Sequence, residues 1–183
     1  MIIGGRLFGT GRCPHVIGVV NLSPESPNQD SIAADATAAI ERARRLAELG
    51  AEIIDVGAQS SYFGAPLLAA GEETARLLPA IRALKNAGFL VSVDTFRAEV
   101  AGAAIAAGVD LINDSEGFQD PAMIELLGRW GGPVVLPFIS GATPHDPSPF
   151  NFEDPLADIL PFLRAAVERA IAAGLRQLLL DPG

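Results

Sequence analysis

Short apolar runs alternate along the chain with longer segments in which apolar residues recur every three or four positions. The short runs are typical of strands buried on both faces, and the longer segments are typical of helices with one buried face. The predicted strands occupy residues 16–21, 52–57, 89–95, 109–114, 133–139 and 177–181. The predicted helices occupy residues 30–50, 72–88, 96–108, 120–131 and 156–174. Asp30 or Ser31 is expected to cap the first helix, and Gly50 is expected to end it.

This regular alternation predicts a parallel sheet covered by helices, which places the chain in the α/β class. Before it, residues 1–8 predict a small β-hairpin with Gly4 and Gly5 at its turn. The composition shows no internal break, so residues 1–183 are expected to form a single domain. Two architectures fit the pattern, an open doubly wound sheet and a closed (β/α)8 barrel.

Polar residues close five of the six predicted strands. These residues are Asn21, Asp55, Asp94, Asn113 with Asp114 after it, and Asp181. In a barrel the carboxyl ends of all strands meet at one face, so these side chains are expected to share a polar pocket. Each residue alone is equally well explained as a turn former or a helix cap. Together, carboxylates and amides suit the recognition of a flat heterocycle with an amidine-like edge.

Charge and composition narrow the range of partners. A net charge of −9 with a single lysine argues against nucleic acid and against anionic membrane surfaces as partners. The single cysteine, Cys13, excludes an intrachain disulfide, and together with the absence of a signal pattern it leads us to expect a cytoplasmic protein. Neither His15 nor His145 has the spacing of a zinc site or a nucleophilic triad, and both are expected to be structural or solvated.

Four segments of the chain carry recognisable motifs. They are VIGVVNLSPES (residues 16–26), GAEIIDVGAQSSYFGA (residues 50–65), SVDTFRAEVAGAAIAAGVDLINDSEG (residues 92–117) and LLLDPG (residues 178–183). The first two segments resemble the first and second signatures of the dihydropteroate synthase family. The third segment resembles the third and fourth strands of that family, and the fourth segment resembles its sixth strand. The resemblance runs in register over nearly the whole chain.

The resemblance implies a (β/α)8 barrel of the pterin-binding superfamily, of which this chain supplies about six βα units and lacks strands 7 and 8. It implies a transferase of folate biosynthesis. Such an enzyme joins 6-hydroxymethyl-7,8-dihydropterin pyrophosphate to 4-aminobenzoate and releases pyrophosphate. Mg²⁺ is the implied cofactor, and a homodimer is a further expectation because members of the family often dimerise.

The same resemblance implies roles for six residues. They are Asp94, Asn113 and Asp181 for binding the pterin ring, Asn21 for holding Mg²⁺ and the pyrophosphate, and Ser61 and Tyr62 in a loop that meets the arylamine or the phosphate. No catalytic acid or base is implied.

The chain also departs from the family pattern at several positions. Pro27 replaces a phenylalanine of the first loop, and Gln59 replaces the glutamate of the second loop. Tyr62 stands where the family has an anion-binding arginine, which removes a charge-assisted contact to pyrophosphate. Pro137 and Phe138 alter the fifth strand. Because strands 7 and 8 carry a lysine and an arginine–histidine pair in the family, the 183 residues alone are expected to have little synthase activity.

Two alternatives remain open at this stage. The first is a non-catalytic paralogue that keeps a pterin pocket and has lost the pyrophosphate chemistry. The second is a methyltransferase of the same superfamily, which would bind methyltetrahydrofolate and pass the methyl group to a corrinoid.

Overall fold

The computed structural model describes residues 1–9, 11, 14–26, 28–60, 65–143, 146–147 and 153–183, and the statements below apply to these residues. The strands, numbered in chain order, are β1 (Ile2–Ile3), β2 (Arg6–Leu7), β3 (Val16–Asn21), β4 (Ala51–Gly57), β5 (Leu90–Asp94), β6 (Leu111–Asn113), β7 (Val134–Pro137), β8 (Gly141–Thr143), β9 (Asp146–Pro147) and β10 (Leu178–Asp181). The helices are α1 (Ala36–Glu48), α2 (Ala70–Asn86), α3 (Ala98–Ala106), α4 (Pro121–Trp130) and α5 (Pro155–Ala172).

The main sheet has six parallel strands in the order β10-β7-β6-β5-β4-β3. Each strand therefore pairs with the next parallel strand along the chain, and consecutive helices contact each other in the same order. A doubly wound sheet reverses its strand order at a switch point, and this sheet does not. The arrangement is that of a barrel wound in one direction, so the predicted fold class, with about six βα units and an amino-terminal hairpin, is confirmed.

Alternate residues of each strand face the helices. Ile54 and Val56 of β4, with Val91 and Val93 of β5, belong to the large core between the sheet and the helices. The intervening residues face the inside of the curved sheet, as the two-residue period of a strand requires. This inner face holds the polar residues considered below.

The predicted amino-terminal hairpin is confirmed, and it closes the end of the sheet where the strands begin. Gly4 and Gly5 have φ values of +52° and +79°, which matches a tight turn with both central residues left-handed. From this hairpin Ile3 and Phe8 pack against Ile53 and Leu111 in a second apolar cluster. The hairpin thus fills the floor of the barrel and leaves the opposite end free for a site.

The expected cap of α1 is wrong. Asp35 is the N-cap residue, and its carboxylate accepts a 2.9 Å hydrogen bond from the N–H of Ala38. Asp30 and Ser31 instead lie in a short 3₁₀ turn, because the chain that follows runs beside the end of β3. There the N–H of Ala33 donates to the carbonyl of Asn21 over 2.8 Å, so this backbone pairs with the sheet before the helix begins.

The remaining element predictions are largely confirmed, with small differences at the ends. The strands β5, β6, β7 and β10 are one to three residues shorter in total than predicted. The segment between β7 and α5, for which no element is predicted, contains the small antiparallel pair β8 and β9. Among the described helices, none combines the length and the hydrophobicity that a bilayer span requires.

The two edge strands of the main sheet carry apolar side chains in contact with solvent. Ile17 and Val19 of β3 are 40 % and 43 % exposed, and Leu179 and Leu180 of β10 are 36 % and 51 % exposed. Both edges of the six-stranded sheet therefore present apolar side chains to solvent.

Phe8→Ala is expected to lower the free energy of unfolding by about 3–5 kcal/mol, because it removes a buried ring from the floor of the barrel. Denaturant unfolding followed by circular dichroism measures the change. Leu7→Ala is the matched control, since Leu7 is the neighbouring residue and is 79 % exposed. Equal losses in the two variants would contradict a packing role for the hairpin.

Candidate active site at the carboxyl ends of the strands

Strand register places the predicted polar residues at one end of the sheet and on its inner face. Asn21 pairs with Gly57, Gly57 with Asp94, and Asp94 with Asn113. Residues that pair across neighbouring strands point to the same side, so the side chains of these residues form one row. The structure therefore brings together three of the residues predicted from the sequence, Asn21, Asp94 and Asn113.

Gly57 lies in the middle of this row and leaves space between its neighbours. A Cβ atom built on Gly57 would lie 3.7 Å from Asn21 Oδ1 and 3.8 Å from Asp94 Oδ2. The two polar side chains thus approach the same volume from both sides. A larger residue at position 57 would fill the space in which an amide and a carboxylate can meet a ligand.

The amide of Asn21 is held in one orientation. Its Nδ2 donates to Ser31 Oγ over 2.6 Å, and Ser31 Oγ donates in turn to the carbonyl of Asn28. Because the nitrogen is engaged in this way, Oδ1 is the atom directed towards Gly57 and Asp94. Ser31 of the short 3₁₀ turn therefore orients the Asn21 amide so that its acceptor oxygen, Oδ1, faces the site.

Asp55 lies one layer below the row, between Val19 and Ser92 in the strand register. It is 8 % exposed, and hydrogen bonds from Ser92 and Asn113 favour its charged form. Burial outweighs these bonds and raises the pKa of Asp55 above its usual value. Its Oδ1 atom is buried and has no hydrogen-bond partner among the described residues. The sequence marked Asp55 as a strand-end residue but implied no role for it.

Burial raises the pKa of the Asp94 carboxyl to about 7, and the charge of Asp55 adds to this effect. A hydrogen bond from Ser115 opposes the shift, and the charges of Glu73 and Asp114 increase it. The site is therefore a cluster of desolvated carboxyl groups. Such a cluster favours a ligand that brings hydrogen-bond donors or positive charge.

Asp114 does not belong to the row, although it follows Asn113 in the sequence. Its carboxylate accepts hydrogen bonds from the N–H groups of Glu116 and Phe118, at 3.2 Å and 2.9 Å. These bonds shape the turn after β6, in which Phe118 has a φ of +64°. Burial nevertheless raises the pKa of Asp114 to about 7. Asp114 is a structural residue of this turn.

Asp181 lies at the same end and on the same inner face, but further from the row. It pairs with Pro137, two residues beyond the level of Asn113, and it is exposed at the edge of the sheet. Its carboxylate accepts a 3.0 Å hydrogen bond from the N–H of Gly183. The role of Asp181 in binding a pterin therefore stays a prediction. Ser61 and Tyr62 lie outside the described residues, as do Pro27, Cys13 and His145.

Sequence reasoning missed a buried ion pair beside the row. Glu73 of α2 is fully buried, its Oε1 accepts a 2.7 Å hydrogen bond from Thr95 Oγ1, and its Oε2 pairs with Arg97. A signal for this was present, because Glu73 falls in phase with the buried stripe of Leu77 and Ile81 on the same helix. A charged residue in an apolar stripe indicates a buried partner.

The match to known proteins covers this whole region. Residues 17–183 match a family described as pterin binding enzyme. The chain is also 32 % identical over 187 residues to the dihydropteroate synthase of Clostridium beijerinckii, and the match covers 100 % of this chain and 67 % of the relative. The chain belongs to the dihydropteroate synthase family. The resemblance in the strand signatures is thereby confirmed.

Solved structures of dihydropteroate synthases share the fold. The Yersinia pestis enzyme, in a complex with a sulfonamide drug, has a TM-score of 0.87 and 32 % identity, covering 100 % of this chain and 67 % of that one. The Burkholderia cenocepacia dihydropteroate synthase, complexed with 7,8-dihydropteroate, has a TM-score of 0.78 and 31 % identity, covering 94 % of this chain and 59 % of that one. The chain thus spans 59–67 % of the length of these dihydropteroate synthases.

Asp94→Asn is expected to flatten the dependence of stability on pH. The pKa of Asp94 is raised to about 7 from 3.8, so the folded state keeps a proton that the unfolded state loses. The wild-type free energy of unfolding should therefore fall as the pH rises from about 4 through 7, and the Asp94 part of this fall should be absent in the variant. Unfolding in urea at pH 5 and pH 8 measures the difference. Asp30→Asn, which changes an exposed carboxylate, is the control, and an unchanged slope in Asp94→Asn would contradict the assignment.

Proposed function

We propose that this chain forms the pterin-binding part of a dihydropteroate synthase, an enzyme that joins 6-hydroxymethyl-7,8-dihydropterin pyrophosphate to 4-aminobenzoate. The observation that carries the proposal is the row of Asn21, Asp94 and Asn113 around the open space at Gly57. Family membership supports it, as does the relative from Burkholderia cenocepacia that was solved with 7,8-dihydropteroate.

The pterin ring is recognised in this proposal by acceptor groups at the strand ends. Asp94 accepts hydrogen bonds from ring N–H groups, Asn113 can both donate and accept, and Asp181 meets the amino edge from β10. Burial and the charges of Asp55, Glu73 and Asp114 disfavour the ionised form of Asp94, so hydrogen-bond donors of the ligand would supply the stabilisation that this form lacks. An analogue without these donors would leave buried carboxylates unpaired, which gives the site its selectivity.

Mg²⁺ is part of the proposal, and the residues present can supply it with one oxygen ligand. The described residues contain no group of three or more His, Cys, Asp or Glu side chains that could hold a metal ion. Mg²⁺ often takes only one or two oxygen ligands from protein and completes its shell with phosphate and water. Asn21 Oδ1, which Ser31 orients towards the site, would be such a ligand. When bound, the ion would neutralise charge on the pyrophosphate.

The proposed reaction exchanges one bond at the pterin methylene carbon. The carbon–oxygen bond to pyrophosphate breaks, the arylamine nitrogen forms the new carbon–nitrogen bond, and the amine proton leaves to water. In this reaction the chain orients the pterin. The carboxylates of Asp94 and Asp55 stabilise the positive charge that develops on the pterin. Ser61 and Tyr62 are proposed to contact the arylamine or the phosphate.

A non-catalytic pterin-binding paralogue is the second candidate, and the residue at position 62 favours it. A tyrosine in place of the arginine of the family signature removes a charge from the proposed pyrophosphate side of the site. A cytoplasmic location and a homodimer remain predictions for either candidate.

Calorimetric titration with 6-hydroxymethyl-7,8-dihydropterin tests the pterin site. Asp94→Asn keeps the size of the side chain but turns one acceptor oxygen into a donor, so we expect a loss of affinity of about ten- to a hundredfold. Asp30→Asn should bind like the wild type. Equal binding by Asp94→Asn and the wild type would overturn the proposed site.

Formation of 7,8-dihydropteroate separates the two candidates. In a protein that carries the whole barrel, the synthase hypothesis predicts this product from the pterin pyrophosphate and 4-aminobenzoate, and Asp94→Asn should form it at least about tenfold more slowly. Tight pterin binding without any product, in a protein that carries the whole barrel, would favour the non-catalytic paralogue.

A further inference from the structure

Two side chains hold the same stretch of backbone from opposite sides in the segment between β4 and α2. The Oε1 atom of Gln59 accepts a 2.8 Å hydrogen bond from the N–H of Leu68. The guanidinium of Arg97 donates a 2.8 Å hydrogen bond to the carbonyl of Leu68. Both polar backbone groups of Leu68 are therefore fixed, the N–H by a residue nine positions earlier and the carbonyl by a residue 29 positions later.

Gln59 makes further contacts that depend on its amide nitrogen. Nε2 donates to the carbonyl of Ser60 over 3.0 Å and to the carbonyl of Pro66 over 3.2 Å. The Gln59 side chain thus accepts a hydrogen bond from Leu68 and donates to Ser60 and Pro66. The glutamate that is usual in the family signature could accept from Leu68, but in its ionised form it could not donate to the two carbonyls.

Arg97 is itself anchored to the strand ends. It pairs with the buried Glu73, and its own N–H donates to Thr95 Oγ1 over 3.2 Å. Thr95 follows Asp94 directly, and its N–H donates to the carbonyl of Asn113 over 3.1 Å. An unbroken set of polar contacts therefore connects the row of site residues to Leu68.

We propose that Gln59 and Arg97 are positioning residues that fix the backbone at Ser60, Pro66 and Leu68 relative to the strand-end site. Ser61 and Tyr62 come between Ser60 and Pro66 in the sequence, so the two positioning residues set the affinity for the pyrophosphate half of the substrate without contacting the pterin ring. A glutamine at position 59 suits this role because the same side chain must accept a hydrogen bond from the N–H of Leu68 and donate to the carbonyls of Ser60 and Pro66. The inference rests on the proposed function.

The test compares two ligands, 6-hydroxymethyl-7,8-dihydropterin and its pyrophosphate ester, both with Mg²⁺ present. The ratio of their dissociation constants cancels any general damage to the fold. Gln59→Glu is expected to reduce the preference for the ester about tenfold, and Arg97→Lys, which keeps a charge opposite Glu73, is expected to do the same. The affinity for the unesterified pterin should stay within about twofold of the wild type.

Hydrogen exchange measured by mass spectrometry supplies a readout that does not depend on any ligand. The N–H of Leu68 should exchange faster in Gln59→Glu and in Arg97→Lys than in the wild type, while the peptides of β5 and β6 should be unchanged. Arg76→Lys is the control, because Arg76 lies on the same helix as Glu73 and pairs with the exposed Glu72.

The outcomes are distinguishable. Equal losses of affinity for both ligands, or an unchanged ratio despite faster exchange at Leu68, would overturn the positioning role. Unchanged exchange at Leu68 would overturn the contacts themselves. A wild-type protein that binds neither ligand would refute the proposed function, while the exchange experiment would still report on the contacts at Leu68.

Discussion

The parallel pairing of consecutive strands is the constraint on which the rest of this structure depends. Because each strand of the main sheet is the neighbour of the next, all carboxyl ends point the same way and the pairing sets their levels. The step from Asn21 to Gly57, then to Asp94 and Asn113, follows directly from that register. A shift of one residue in any pair would turn its polar side chain into the apolar core between sheet and helices. Burial of Val56 and Val93 against the helices therefore also determines which way the side chains of the site point.

Much of this arrangement could be predicted from the sequence, because apolar runs and their polar ends carry both the sheet and the site. Asn21, Asp94 and Asn113 were identified from their places after such runs, and they share one row. The cap of α1 could not be predicted in this way. Two aspartates precede that helix, and the choice of Asp35 depends on the pairing of the preceding residues with β3, a tertiary contact that no local pattern shows.

Other features escaped because their partners are far away in the sequence. Glu73 is separated from Thr95 and Arg97 by more than twenty residues, and only the phase of its helix hints that it is buried. From the sequence alone, Gln59 was identified only as a departure from the family signature. Its hydrogen bonds to Pro66 and Leu68 give that departure a physical meaning. Departures from a family pattern thus need the geometry around them before they can be counted as losses.

The raised pKa of Asp94 links the occupancy of the site to the proton concentration around it. Because burial and the charge of Asp55 raise its pKa to about 7, a fraction of this carboxyl is protonated at neutral pH. A ligand whose N–H groups hold it in the ionised form must displace that fraction of a proton into the solvent. Binding heats will then vary with the ionisation enthalpy of the buffer, and affinity will weaken as the medium becomes more acidic. A buried acidic cluster with no cation in its row therefore makes the site responsive to the pH of the surrounding compartment.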